Sequence, residues 1–218
     1  MNFHIITIFP ESFKSYFSSS IMDKAMKNNL FSIELYKLND FSKLSSKRVD
    51  DKAYGMHWQV ISAEVLSDAI EFIFKKVWKK IPVIYMTPSW ELLNQEKVEY
   101  FYENLKNDCI IICWHYEWID ERIVELYVDF EISIWEYVLS SWELAASVFI
   151  DSFVRNISWV LGNKLSLEED SFSKKFERKK EYPVYTRPKI FKNLEVPEIL
   201  LSGNHAEIEN WKKNNLHK

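Results

Sequence analysis

The stretch IPVIYMTPSWELLNQEKVEYFYENLKNDCIIICW (residues 81–114) decides the fold. Near its start lies PVIYM (82–86), and near its end CIIIC (109–113), which is apolar at every position. An apolar run of about four to eight residues without alternation reads as a strand buried on both faces. Between the two runs, residues 95–105 carry apolar side chains at helical spacing. Strand, helix and strand in this order are the repeating unit of a parallel sheet.

The same alternation continues on either side. FHIITIF (3–9) and FSIELYKL (31–38) read as two further strands, and DFEISI (129–134) as a weaker one. Helical spacing recurs over 11–17, 20–28, 63–76, 120–126 and 144–154. The expected architecture is an α/β fold with a mostly parallel sheet flanked by helices. Residues 39–59 are polar and lack periodicity, so they are expected to form a long loop, a feature often tied to function. A break falls at about 162–169. The expected domains are therefore 1–160 for the sheet, 161–171 for a linker, and 172–218 for a small helical carboxyl-terminal domain. In its last segment, LLSGNHAEIENWKKNNLHK, Ser202 or Asn204 is placed to cap a helix.

With 218 residues, 47% of them hydrophobic and 16% aromatic, the chain can bury a sizeable core, which excludes disordered and fibrous classes. The start, MNFHIITIFPESF, has no basic leader, and no stretch approaches the ~20 apolar residues of a membrane span, so a cytoplasmic protein is expected. Cys109 and Cys113 lie inside an apolar run and read as buried thiols, with neither a zinc site nor a catalytic thiol indicated. The formal net charge of −4 hides a basic segment. There Lys174, Lys175, Arg178, Lys179, Lys180, Arg187, Lys189 and Lys192 face only Glu177 and Glu181. Such a segment is either a solvated surface or a contact for nucleic-acid phosphates. Tryptophan occurs nine times and glycine three times, where ordinary usage of ~7% would give roughly fifteen glycines.

Several segments stand in one order along nearly the whole chain: FPESF (9–13), RVDDKAYG (48–55), YMTPS (85–89), HYEWIDER (115–122), SIWEYVLSSWELAA (133–146), EDSF (169–172), YTRP (185–188) and VPEILLSGNHAEI (196–208). Each is weak alone; together they resemble the bacterial tRNA (guanine-37-N1)-methyltransferase family. The resemblance implies an S-adenosylmethionine-dependent enzyme with a knotted (trefoil) α/β domain of the SPOUT superfamily. It also implies a helical carboxyl-terminal domain and a homodimer with active sites at the subunit interface. The partner implied is tRNA with guanosine at position 37.

The resemblance maps the general base for the guanine N1 proton onto Asp170, whose other reading is a helix N-cap, with Ser171 an equal contender. It maps a guanidinium that steadies charge on guanine O6 onto Arg155, whose other reading is compensation of a helix dipole. Cofactor contacts fall on Tyr85, Met86, Thr87, Pro88, Trp114, Tyr116, Glu117, Ile134, Trp135, Tyr137, Leu139 and Trp142. The segment 50–55 is expected to approach the tRNA or the partner subunit, with a plain turn as its alternative. Magnesium is associated with the family, but no motif here fixes a ligand set, and Asp50 with Asp51 reads as a solvated pair. His115 and His205 read as structural or substrate contacts.

One departure is systematic. The family pattern carries glycine where this chain has Trp90, Trp114, Trp118, Trp135, Trp142 and Trp159, and Trp58 and Trp78 also fall at glycine-like positions. Backbone can approach a ligand closely only where side chains are absent, so literal tryptophans would obstruct the pocket. Either the chain is a catalytically inactive tRNA-binding relative, or these positions are UGA codons of a genome that reads them as glycine.

Overall fold

The computed structural model describes residues 1–88, 91–105, 107–115, 118–162 and 169–217. It forms two compact units, Met1–Leu161 and Gly162–Lys218.

The first unit is built on five parallel strands: β1 (Asn2–Thr7), β2 (Ser32–Lys37), β5 (Val83–Met86), β6 (Asp108–Ile112) and β8 (Phe130–Ile132). Their order across the sheet is β2-β1-β6-β5-β8. The register aligns one apolar row through all five, Leu35, Ile5, Ile111, Ile84 and Phe130. Strands β1, β5 and β6 are buried along almost their whole length, as their unbroken apolar runs require.

Helix α3 (Ala63–Val77) turns Leu66, Ala69, Ile70, Ile73 and Phe74 inward, the stripe that a 3.6-residue period produces. Helix α4 (Gln95–Asn104) packs on α6 (Trp142–Val154), with Phe101 and Phe149 edge to face at 5.6 Å. Two short helices, α1 (Lys14–Phe17) and α2 (Ser20–Lys27), follow β1, and α5 (Glu121–Tyr127) lies against α3.

Residues 39–59 are not one irregular loop. Asp50–Lys52 (β3) pairs antiparallel with Gln59–Ile61 (β4), which pairs in parallel with Trp118–Ile119 (β7). Strands of two or three residues are too short to show a period, so only the pairing reveals them.

In the second unit, α7 (His205–Asn214) is capped by Asn204, whose side chain accepts from the Glu207 amide; Ser202 instead bonds back to Ile199. Ahead of it lie a 3-10 turn (Glu198–Leu201) and a hairpin of Ile190–Phe191 (β9) with Leu194–Glu195 (β10). Residues 171–179 form successive turns rather than a helix, so Asp170 caps no helix.

Candidate active site

Strands β6, β5 and β8 are neighbours, and the chain leaving each carboxyl end enters a loop. Ligands of open α/β sheets bind beyond those ends. The loops are tied together: the Thr87 amide donates to the Ile132 carbonyl (3.0 Å), Leu93 donates to Ser133 (2.7 Å), and Ser133 donates to Glu91 (3.2 Å). Tyr85 and Met86 are buried at the end of β5, with Thr87 buried and Pro88 half-buried just beyond. Burial pushes the Tyr85 phenol well above its ordinary range, with Glu131 adding to the effect. Ile134 and Leu139 pack on the core, while Trp135 and Tyr137 stand exposed on the loop after β8. Tyr116 and Glu117 lie outside the described residues, as does Trp90.

The space between these loops is filled by indoles. Trp114, from the loop after β6, stacks on Trp142 at 5.1 Å and 14°, and on Trp118 at 5.8 Å and 16°. Its ring N–H donates to the Met86 carbonyl at 2.6 Å. Trp114 and Trp142 are only 4% and 5% exposed. The resemblance places S-adenosylmethionine among these same residues. Side chains that fill the space between the loops do not fit that cofactor: an adenine placed there would meet the buried indoles of Trp114 and Trp142.

Beside the slab sits a polar network that sequence reasoning missed. Glu143, on the first turn of α6 and 2% exposed, accepts from the Thr7 hydroxyl (2.5 Å) and from His115 Nε2 (3.0 Å). Thr7 Oγ1 in turn accepts from the Phe9 amide (2.9 Å). The carboxylate therefore joins the end of β1, the loop after β6 and the start of α6, where the helix dipole favours a negative charge. His115, read from sequence as a structural or substrate contact, makes this structural contact. The available signal was one acidic residue inside the apolar segment WELAASVF.

Arg155 caps the carboxyl end of α6, and Phe153 beside it packs on Phe3 (5.5 Å) at the start of β1. A helix of 13 residues spans roughly 20 Å at 1.5 Å per residue. Arg155 is thus about a helix length from the loop that leads into α6, toward the amino-terminal end of β1. Asp170 lies in the second unit, in a turn where its carbonyl accepts from Ser173 (3.1 Å). The next residue, Ser171, is held by Glu181 through its amide (2.7 Å). The basic segment of this unit is largely at the surface, with Lys175 paired to Glu169 and Lys179 to Glu177, both at 2.6 Å. Asp50 sits in β3 paired with Arg48 (3.1 Å), and Asp51 and Tyr54 are exposed. Among the described residues no group of three or more His, Cys, Asp or Glu is placed to hold a metal ion. No helix among them is long and apolar enough to cross a membrane.

Comparison with known proteins identifies the family. The family model described as "tRNA (Guanine-1)-methyltransferase TrmD" matches residues 1–218. A tRNA (guanine-N(1)-)-methyltransferase of Clostridioides difficile is 43% identical over 215 residues, covering 98% of this chain and 91% of that one. One of Borreliella burgdorferi is 45% identical over 213 residues, covering 97% and 86%. Among solved structures, the tRNA (m1G37) methyltransferase from Aquifex aeolicus superposes with a TM-score of 0.78 at 32% identity, covering 98% of this chain and 88% of that one. The chain belongs to the tRNA (guanine-1)-methyltransferase family.

Proposed function

We propose that this protein transfers a methyl group from S-adenosylmethionine to N1 of guanosine at position 37 of tRNA. The observation that carries the reading is the family match along the entire chain, 1–218. Relatives named for guanine N1, and a solved structure named for m1G37, support the atom and the position.

Guanine N1 carries a proton at neutral pH, so a base must take it and the charge that moves to O6 must be stabilised. Asp170 is the proposed base, on a turn steadied by Ser171 and Glu181. Arg155 is the proposed partner of O6, its planar guanidinium suited to a developing oxyanion. Because α6 sets Arg155 roughly a helix length from its own loops, the working assembly is read as a homodimer in which one protomer's Arg155 serves its partner's loops. The basic segment, Lys174 to Lys192, is read as the phosphate-contacting surface, and magnesium as an added ion without a ligand set in the described residues. The substrate places this activity in the cytoplasm.

The test uses polypeptide purified from its own cells, the methyl donor, and transcripts bearing guanosine or adenosine at position 37. Methyl incorporation into the guanosine transcript alone is expected. No product, or equal product on both, overturns the reading.

A further inference from the structure

We infer that the polypeptide made by the cell of origin carries glycine at positions 78, 114, 118, 135, 142 and 159, and that with glycine there the loops beyond β5, β6 and β8 open into a cleft for an adenosyl ligand. The first half stands on backbone geometry at 78 and 159 and on the stacked indoles at 114, 118 and 142; the second half rests on the proposed function.

Trp78 follows the last turn of α3 with φ +58°. Its amide donates to the Lys75 carbonyl and the Lys79 amide to the Phe74 carbonyl, at 3.3 and 3.2 Å. These two bonds are the Schellman pair, and they put residue 78 at the left-handed position after the helix, where glycine is preferred because it has no Cβ. The indole there is 93% exposed, so no packing compensates the strain. Trp159 repeats the case: it is the third residue of a turn closed by the Val160 amide on the Ile157 carbonyl, with φ +76° and 77% exposure. A positive φ at that turn position calls for glycine.

Both positions combine a conformation that favours the smallest residue with the largest side chain left bare in water. Trp211 is the contrast. It lies in the regular helix α7, half-buried, with ring contacts to Tyr182 and Tyr185 at 6.4 and 6.3 Å.

At 114, 118 and 142 the argument is one of space. The stacked indoles fill the space between the loops, and the Trp114 N–H caps the Met86 carbonyl at the end of β5. Removing the three indoles clears the space that the stack fills beside the buried Tyr85 and Met86 at the end of β5. Trp135, on the loop after β8, likewise leaves its indole more than half exposed. A single cause links all six: a codon, UGA, that one genetic code reads as glycine and another as tryptophan.

Two measurements test this separately. Peptide mass analysis of the native polypeptide is expected to find glycine at 78, 114, 118, 135, 142 and 159; tryptophan at these positions overturns the inference whatever the activity. Calorimetric titration with S-adenosylhomocysteine then compares the tryptophan chain with a chain bearing W78G, W114G, W118G, W135G, W142G and W159G. If the filled cleft opens less than ~1% of the time, the glycine chain binds at least ~100-fold more tightly. Equal binding by the two overturns the cleft. Native glycine together with no binding by a folded glycine chain also overturns the cleft, and the proposed function with it, while the decoding stands.

Discussion

The Glu143 carboxylate, buried on the first turn of α6, lies 2.5 Å from the hydroxyl of Thr7 at the end of β1. The contact spans 136 positions of sequence and bolts the helix that follows the loop after β8 to β1, the second strand of the sheet. With His115 on its other oxygen at 3.0 Å, the carboxylate is satisfied, so burial does not leave a bare charge.

Replacing Glu143 with alanine strands both partners. A buried donor without an acceptor costs about 1–3 kcal/mol. For a chain of this size that corresponds to a melting temperature lower by several degrees, at about 2–4 °C per kcal/mol. Glu143→Gln keeps an oxygen for Thr7 and the side-chain shape, so it is expected to lose less than half as much. Thermal melts of the two variants decide the point, and equal losses would mean that the network contributes shape alone.

The sheet was legible because its inner strands are largely apolar runs, and the expected ends differ by one or two residues: 3–9 against Asn2–Thr7, 82–86 against Val83–Met86, and 109–113 against Asp108–Ile112. The small sheet was not, since Asp50–Lys52 is polar and its pairing with Gln59–Ile61 is decided by partners, not by a pattern. The hairpin at 190–195 turns on Lys192 and Asn193, both at positive φ, and only the asparagine hints at it. The loops expected to meet the cofactor rest on motif resemblance alone; Glu143 was missed because a carboxylate's partner 136 positions away leaves no local trace.

Protonation of His4 should set a stability limit on the acid side. The ring is buried in β1 between the Tyr36 hydroxyl (3.0 Å) and Glu34 (3.5 Å). Desolvation lowers its pKa below 6.5, outweighing the upward pull of Glu34 and Asp108, while Lys76 lowers it further. The unfolded chain therefore takes up a proton at a pH where the folded chain still refuses it, and stability falls as pH drops through about 6.5 toward the lowered value. Denaturant midpoints between pH 7.5 and 5 should show that slope in the parent and a flatter one in His4→Gln. An unchanged slope would assign it to other groups.

Both cysteines should be silent toward thiol reagents. Cys109 and Cys113 are free and buried in β6 and at its end, and burial pushes both thiols far above their ordinary pKa, which starves the reactive thiolate. An aromatic disulfide reagent is expected to label neither in the folded protein and both in denaturant. Rapid labelling of the native chain would show that the sheet opens at β6.

The position of Arg155 makes a prediction about assembly. In one chain it stands at the far end of α6 from Trp142, near Phe153, so on the proposed reading the loops after β5, β6 and β8 take it from a second copy. Arg155→Ala alone should reduce methylation by roughly 10²–10³-fold, the effect of removing one oxyanion partner. Ile134→Arg, which forces a charge into the packed base of the loop after β8, should abolish cofactor binding in its own protomer. Mixed after unfolding and refolding, the two inactive variants form hybrid dimers in which one site has intact loops from the Arg155→Ala chain and an intact arginine from the other. Random pairing makes half of all dimers hybrids with one complete site each, so recovery to about a quarter of the parent rate is expected. If mixing restores nothing while cross-linking shows that hybrids formed, Arg155 acts within its own chain and the dimer reading fails.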